Sequence, residues 1–137
     1  MIRDFTLSDL PNAVEVFQQN GLPANCFPPL YIDVNGVLEE NKLFVEKQIM
    51  MQDGEPVMSC FLKITAEIYL VLDHTKGTPE ERLEWLTEMR DEMAVRAATK
   101  GLDQVTCWIP PDLEKSFGPR LVDLGFQKSW QSYTFNL

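Results

Sequence analysis

The sequence predicts an α+β fold, and three observations carry that prediction. Two strand-like runs, LFVEKQIMM and VMSCFLKI, flank QDGEP, in which Asp53 and Gly54 make a strong hairpin turn. The apolar run EIYLVL leads into a helical pattern that starts near Pro79, and QVTCWI follows that helix as a further strand. Strands joined by a tight turn are antiparallel, whereas strands joined through a helix can pair in parallel, so both kinds of pairing are expected.

Taken in order, residues 2–5 form a short first strand, and Ser8 caps the helix that follows. Leu10, Ala13, Val14 and Phe17 have the i, i+3, i+4, i+7 spacing of one helix face, and Asn20 and Gly21 end it. LPANCFPPLY holds three prolines and reads as irregular. The pattern is weakest over residues 27–40, where Leu30, Val34 and Leu38 would share a face if a helix forms. After the hairpin, a connection near Thr65 and Ala66 returns the chain into EIYLVL, making a three-stranded antiparallel meander. That last strand is nearly all apolar, as befits a strand covered on both faces.

Thr78, Pro79 and Glu81 then supply an N-cap, a first-turn proline and the third-position glutamate of a capping box. The helix places Leu83, Leu86, Met89, Met93, Ala94 and Ala97 on one side and Glu84, Glu88, Asp91 and Glu92 on the other. Gly101 terminates it, and QVTCWI pairs in parallel with EIYLVL through a right-handed crossover. Pro110 and Pro111 stop that strand. A short helix over residues 112–124 ends at Gly125, and FQKSWQSYTF closes the chain as a strand or bent pair.

The 137 residues are enough for one domain, spanning 1–137, that buries a core without disulfides or a structural metal. A formal charge of -9 argues against a nucleic-acid partner, because phosphate binding depends on clustered Lys and Arg; a small-molecule amine or a basic protein surface suits it better. Cys26, Cys60 and Cys107 lack CxxC spacing and lie in or beside apolar segments, which reads as reduced core thiols in a cytoplasmic protein. The longest purely apolar run, IYLVL, is far short of the ~20 residues a spanning helix needs, so neither membrane insertion nor export is expected. His74 beside Asp73 reads as a surface pair, and no metal site is predicted. Exposure of the alternating aromatics Trp130, Tyr133 and Phe135 would mark a homodimer or partner surface.

Three segments carry a resemblance: MIRDFTLSDLPNAVEVF at the start, VLDHTKG after EIY, and LVDLGF before the closing segment. Together they resemble the GCN5-related N-acetyltransferase superfamily. The opening is similar to its IRPATxEDLPAIxxL pattern. VLDHTKG aligns with VxPxxRG through Val71, Lys76 and Gly77, and Leu124 to Phe126 match the family's GF.

The resemblance implies a central mixed, mostly antiparallel sheet of six to seven strands, splayed between its fourth and fifth strands, with three to four flanking helices and acetyl-CoA in the splay. It further implies an N-acyltransferase acting on an amine. Backbone groups of Leu70, Val71 and Leu72 would meet the pantetheine arm, while Lys76, Gly77 and Thr78 would meet the diphosphate. Glu67 would serve as base, with Tyr69 on the same face. Tyr133 could act as the acid if its hydroxyl reached the splay.

The chain also departs from the family pattern. RGxGxG becomes KGTPEE, Pro79 removes an amide donor, and Glu80 and Glu81 bring negative charge toward a diphosphate. Leu121 stands where the family's tyrosine acid often lies, and Pro110, Pro111 and Asp112 replace its usual asparagine. The alternative is a noncatalytic relative that has lost acetyl-CoA and serves as a binding or assembly module. Lys76 then becomes a solvated loop lysine, Gly77 a turn residue, and Cys107 and Trp108 core residues of their strand.

Overall fold

The computed structural model describes residues 1–129, 132–134 and 136–137 of an α+β protein whose contacts divide it into two compact units, Met1–Ile64 and Thr65–Leu137. In the first unit β1 (Ile2–Asp4) precedes a 3-10 turn and α1 (Leu10–Gln19); β2 (Tyr31–Val34), β3 (Val37–Glu40), β4 (Phe44–Gln52) and β5 (Glu55–Lys63) follow. β1, β4 and β5 form an antiparallel sheet in that order, with Ile2 opposite Met50 and Met50 opposite Met58. The expected hairpin is present. Asp53 at φ 53° and Gly54 at φ 86° give the two left-handed central residues that match a turn to the twist of its strands.

The expected face of α1 also points inward, with Ala13 buried and Leu10, Val14 and Phe17 half-buried. Its start differs from the sequence reading. Ser8 lies inside a 3-10 turn (Leu7–Asp9) preceding α1, and Thr6 caps that turn. The Asp9 carboxylate accepts from the Thr6 amide at 2.8 Å and from Arg3 Nη1 and Nη2 at 2.8 and 2.7 Å. These bonds, above all those from Arg3, hold the Asp9 carboxyl well below the usual carboxylate range.

A second correction concerns residues 27–40, which hold no helix. β2 and β3 pair antiparallel around Asn35 and Gly36, at φ 55° and 84°, and the Gly36 amide donates to Asp33 Oδ1 at 2.7 Å. Asn-Gly is as strong a hairpin signal as Asp-Gly, and the backbone it sets outweighs the helical spacing of Leu30, Val34 and Leu38. Of those three only Leu30 is buried, within a core that also contains Phe5, Ala13, Phe44 and Ile49. Phe61 meets Phe5 edge-on at 5.2 Å, a favoured aromatic geometry.

The second unit contains β6 (Ala66–Ile68), α2 (Pro79–Thr99), β7 (Val105–Cys107) and α3 (Pro111–Asp123). β6 and β7 pair in parallel, as expected, with Ala66 opposite Val105 and Ile68 opposite Cys107. EIYLVL, however, is a strand only at Glu67 and Ile68, and its hydrogen-bonded neighbour is β7 instead of a meander partner. Residues 69–78 are irregular, and Val71 is 99% exposed. QVTCWI is likewise a strand only at Val105–Cys107; Pro110 and Pro111, which have no amide donors, follow shortly after it.

α2 buries Leu86 and half-buries Met93 and Ala97, but Leu83 and Met89 are exposed, so the apolar side is covered over a narrower stripe than its spacing suggests. Gly101, at φ 80°, ends α2 as expected: its amide bonds Ala98 O at 2.9 Å and the Leu102 amide bonds Ala97 O at 3.1 Å. Arg90 Nη1 donates to the Leu124 carbonyl at the end of α3, and Leu86, Leu121 and Leu124 form the core of this unit.

All three cysteines are free. Only Cys107 is half-buried, while Cys26 and Cys60 are exposed, so the expectation of core thiols fits Cys107 alone. Trp130, Gln131 and Phe135 of the expected closing strand lie outside the described residues; residues 126–129 and 132–134 are irregular. No helix among the described residues is long and apolar enough to cross a membrane.

Candidate active site

The parallel pairing of β6 and β7 lasts three residue pairs, and the chain then leaves β6 through Tyr69 to Leu72. The backbone groups of Leu70, Val71 and Leu72 make no hydrogen bond to a described residue. These are the groups expected to face a pantetheine arm, and they remain able to bond a ligand or water.

Glu67 is opposite Thr106 in the parallel pair. Alternation along an extended chain puts residues 67 and 69 on one side, and the Tyr69 hydroxyl donates a short hydrogen bond to Glu67 Oε2. That bond, followed by the negative charge of Glu67, raises the Tyr69 phenol above its ordinary value, so the hydroxyl keeps its proton at neutral pH. Both side chains are exposed, Tyr69 at 76%. The arrangement is a carboxylate that can accept a proton, joined to a phenol that can donate one.

The loop after β6 is closed by its own side chains. Asp73 Oδ1 accepts from the Thr75 hydroxyl at 2.6 Å and from the Thr75 amide at 2.9 Å, which lowers the Asp73 carboxyl below its usual value. The expected capping box is formed: Glu81 Oε2 accepts from the Thr78 amide at 2.7 Å, and Thr78 Oγ1 accepts from the Glu81 amide at 3.2 Å. Thr78 therefore has no amide to offer a diphosphate. The Gly77 and Glu80 amides, by contrast, have no acceptor among the described residues.

The surroundings of Gly77 favour glycine there. Its φ is +64°, and a Cβ built there would lie 2.4 Å from Cη2 of Trp85, whose indole lies against the loop. Lys76 is exposed and forms no ion pair with a described residue.

Tyr133 is 90% exposed and makes no hydrogen bond to a described residue, so no contact brings its hydroxyl to Glu67. Leu121, at the position of the family's usual acid, is 5% exposed and belongs to the core. A cleft of about 690 Å³ lies beside β7 and α3, with Cys107, Ile109, Leu121 and Phe126 in its walls. That size suits a small molecule. Burial pushes the Cys107 thiol up, which leaves it protonated and weakly reactive.

Compared with family models, curated proteins and solved structures, the chain matches none of them.

One residue escapes the sequence reading. Arg82 Nη1 donates to three loop carbonyls, those of His74 at 3.1 Å, Lys76 at 3.1 Å and Gly77 at 2.9 Å. A usable signal was present in the sequence. A cation in the first turns of a helix opposes the macrodipole, so its place there points to acceptors outside the helix.

Proposed function

We propose that the chain is an acetyl-CoA-dependent N-acyltransferase of the GCN5-related kind, acting on an amine, with a mixed sheet splayed where β6 and β7 part. One observation carries the reading. The parallel pair ends at Ile68 and Cys107, backbone without a hydrogen bond to any described residue follows at Leu70, Val71 and Leu72, and the hydrogen-bonded Glu67 and Tyr69 stand at the point of divergence. The acidic excess, a charge of -9, suits an amine or basic protein surface as acceptor, and three free thiols suit a reducing cytoplasm.

In this reading the amine attacks the thioester carbonyl carbon, a C–N bond forms, and the C–S bond breaks. Glu67 takes the proton lost by the amine. Tyr69 gives its proton to the departing thiolate and regains one from Glu67, so the pair returns to its starting state with acetyl amide and CoA as products.

Isothermal titration with acetyl-CoA and, separately, with CoA tests the reading. Micromolar binding followed by turnover on an amine panel is expected, with Glu67→Gln lowering turnover while leaving coenzyme binding intact. No heat and no thermal shift at millimolar ligand would sink it.

One observation favours a second reading, a noncatalytic scaffold that binds a partner. The Thr78 and Glu81 amides are spent in the capping box, and Glu80 and Glu81 bring negative charge to the same turn as the Gly77 and Glu80 amides, which have no acceptor among the described residues. A basic partner captured by pull-down would then be released as salt rises, because exposed charges are screened.

A further inference from the structure

We infer that Arg82 is a positioning residue for coenzyme: it holds the 73–78 loop so that the Gly77 amide, alone among the loop's last amides, faces away from the protein toward a diphosphate. The inference rests on the acetyl-CoA reading above. In a trans peptide the C=O and the following N–H point in opposite directions. Arg82 Nη1 takes the carbonyls of His74, Lys76 and Gly77, so the amides of Thr75, Gly77 and Thr78 are turned away from the guanidinium. The Thr75 amide is already bonded to Asp73 Oδ1, and the Thr78 amide to Glu81 Oε2. Of these three, only the Gly77 amide has no acceptor among the described residues.

The family's loop reaches the same end with several glycines, whose flexible backbone lets amides converge on phosphate. Here a side chain does the converging from behind, by gathering carbonyls. A guanidinium is suited to this role because it presents several donors in a fixed plane and stays charged.

Arg82→Gln and Arg82→Lys, with Arg96→Gln as a control on the same helix, test the inference by two measurements. The first needs no ligand: tryptic cleavage between Lys76 and Gly77, followed by mass spectrometry, should quicken roughly fivefold in Arg82→Gln as the loop opens locally, and stay unchanged in Arg96→Gln. The second compares titrations with CoA and with S-acetylpantetheine, which lacks the diphosphate. Arg82→Gln should weaken CoA about tenfold and leave S-acetylpantetheine unaffected, with partial recovery in Arg82→Lys.

Unchanged cleavage at Lys76 overturns the positioning role whatever binds, and equal weakening of both ligands overturns its link to the diphosphate. Failure of the unaltered protein to bind CoA, with cleavage still quickened, overturns the coenzyme reading and upholds Arg82 as the restraint on the loop.

Discussion

Replacing Gly77 with alanine should destabilise the protein for two separable reasons, and the structure gives the size of each. The first is conformational: an L-residue at φ +64° costs roughly 1–2 kcal/mol relative to glycine. The second is steric. The new Cβ would sit 2.4 Å from Trp85 Cη2, so the ring must retreat by about 1 Å to reach ordinary contact. The indole is 41% exposed and can move, which keeps this part near 1 kcal/mol, at the low end for overpacking. Gly77→Ala alone should therefore cost roughly 2–3 kcal/mol, and in a Trp85→Ala background roughly 1–2 kcal/mol, a coupling of about 1 kcal/mol. Urea unfolding of the four proteins by circular dichroism at constant m-value measures it. An equal cost in both backgrounds would refute the ring contact. The cycle also bears on coenzyme binding, because a bulky residue at 77 displaces Trp85 whether or not a diphosphate binds there. Weakened CoA binding reports on the loop amide only where the Trp85→Ala background shows it too.

Leu30→Ala should cost roughly 2–5 kcal/mol, since Leu30 is 1% exposed in the first unit's core; a cost below 1 kcal/mol by urea unfolding would contradict that burial. Asp9→Asn should lower Tm at pH 6. Because the folded carboxyl lies below its unfolded value near 3.9, its contribution is complete above that pH and fades as pH falls further, so the Tm gap from the unaltered protein should close on acidification; a gap constant from pH 6 to pH 2.5 would refute the Arg3 pairing. Gly36→Ala puts an L-residue at φ 84° in the β2–β3 turn and should cost about 1 kcal/mol, visible as a lower urea midpoint. If the acyltransferase reading holds, Tyr69→Phe removes the hydroxyl bonded to Glu67 and should lower kcat about tenfold or more with little change in coenzyme affinity; unaltered kcat would exclude Tyr69 as acid.

Local chemistry alone was enough to read the Asp53-Gly54 hairpin, the inward face of α1, the Thr78–Glu81 capping box and the glycine that ends α2. Each depends on residues a few positions apart, whose preferences hold whatever the rest of the chain does. The hairpin at Asn35-Gly36 was legible by the same rule, but the spacing of Leu30, Val34 and Leu38 competed with it. Tertiary structure decided what pairs and what is covered. Apolar character made EIYLVL look like a full strand, yet only Ala66–Ile68 finds a partner, because pairing needs a neighbour at hydrogen-bonding distance and β7 supplies three residues of one. The joining of Tyr69 to Glu67 follows from that extended backbone. The gathering of three carbonyls by Arg82 and the seat of Trp85 against Gly77 depend instead on where the loop folds back over the first turns of α2. Sequence spacing determines which side a residue faces along its own element, whereas hydrogen bonds between a loop and a side chain several residues away exist only once the backbone has taken its path in space.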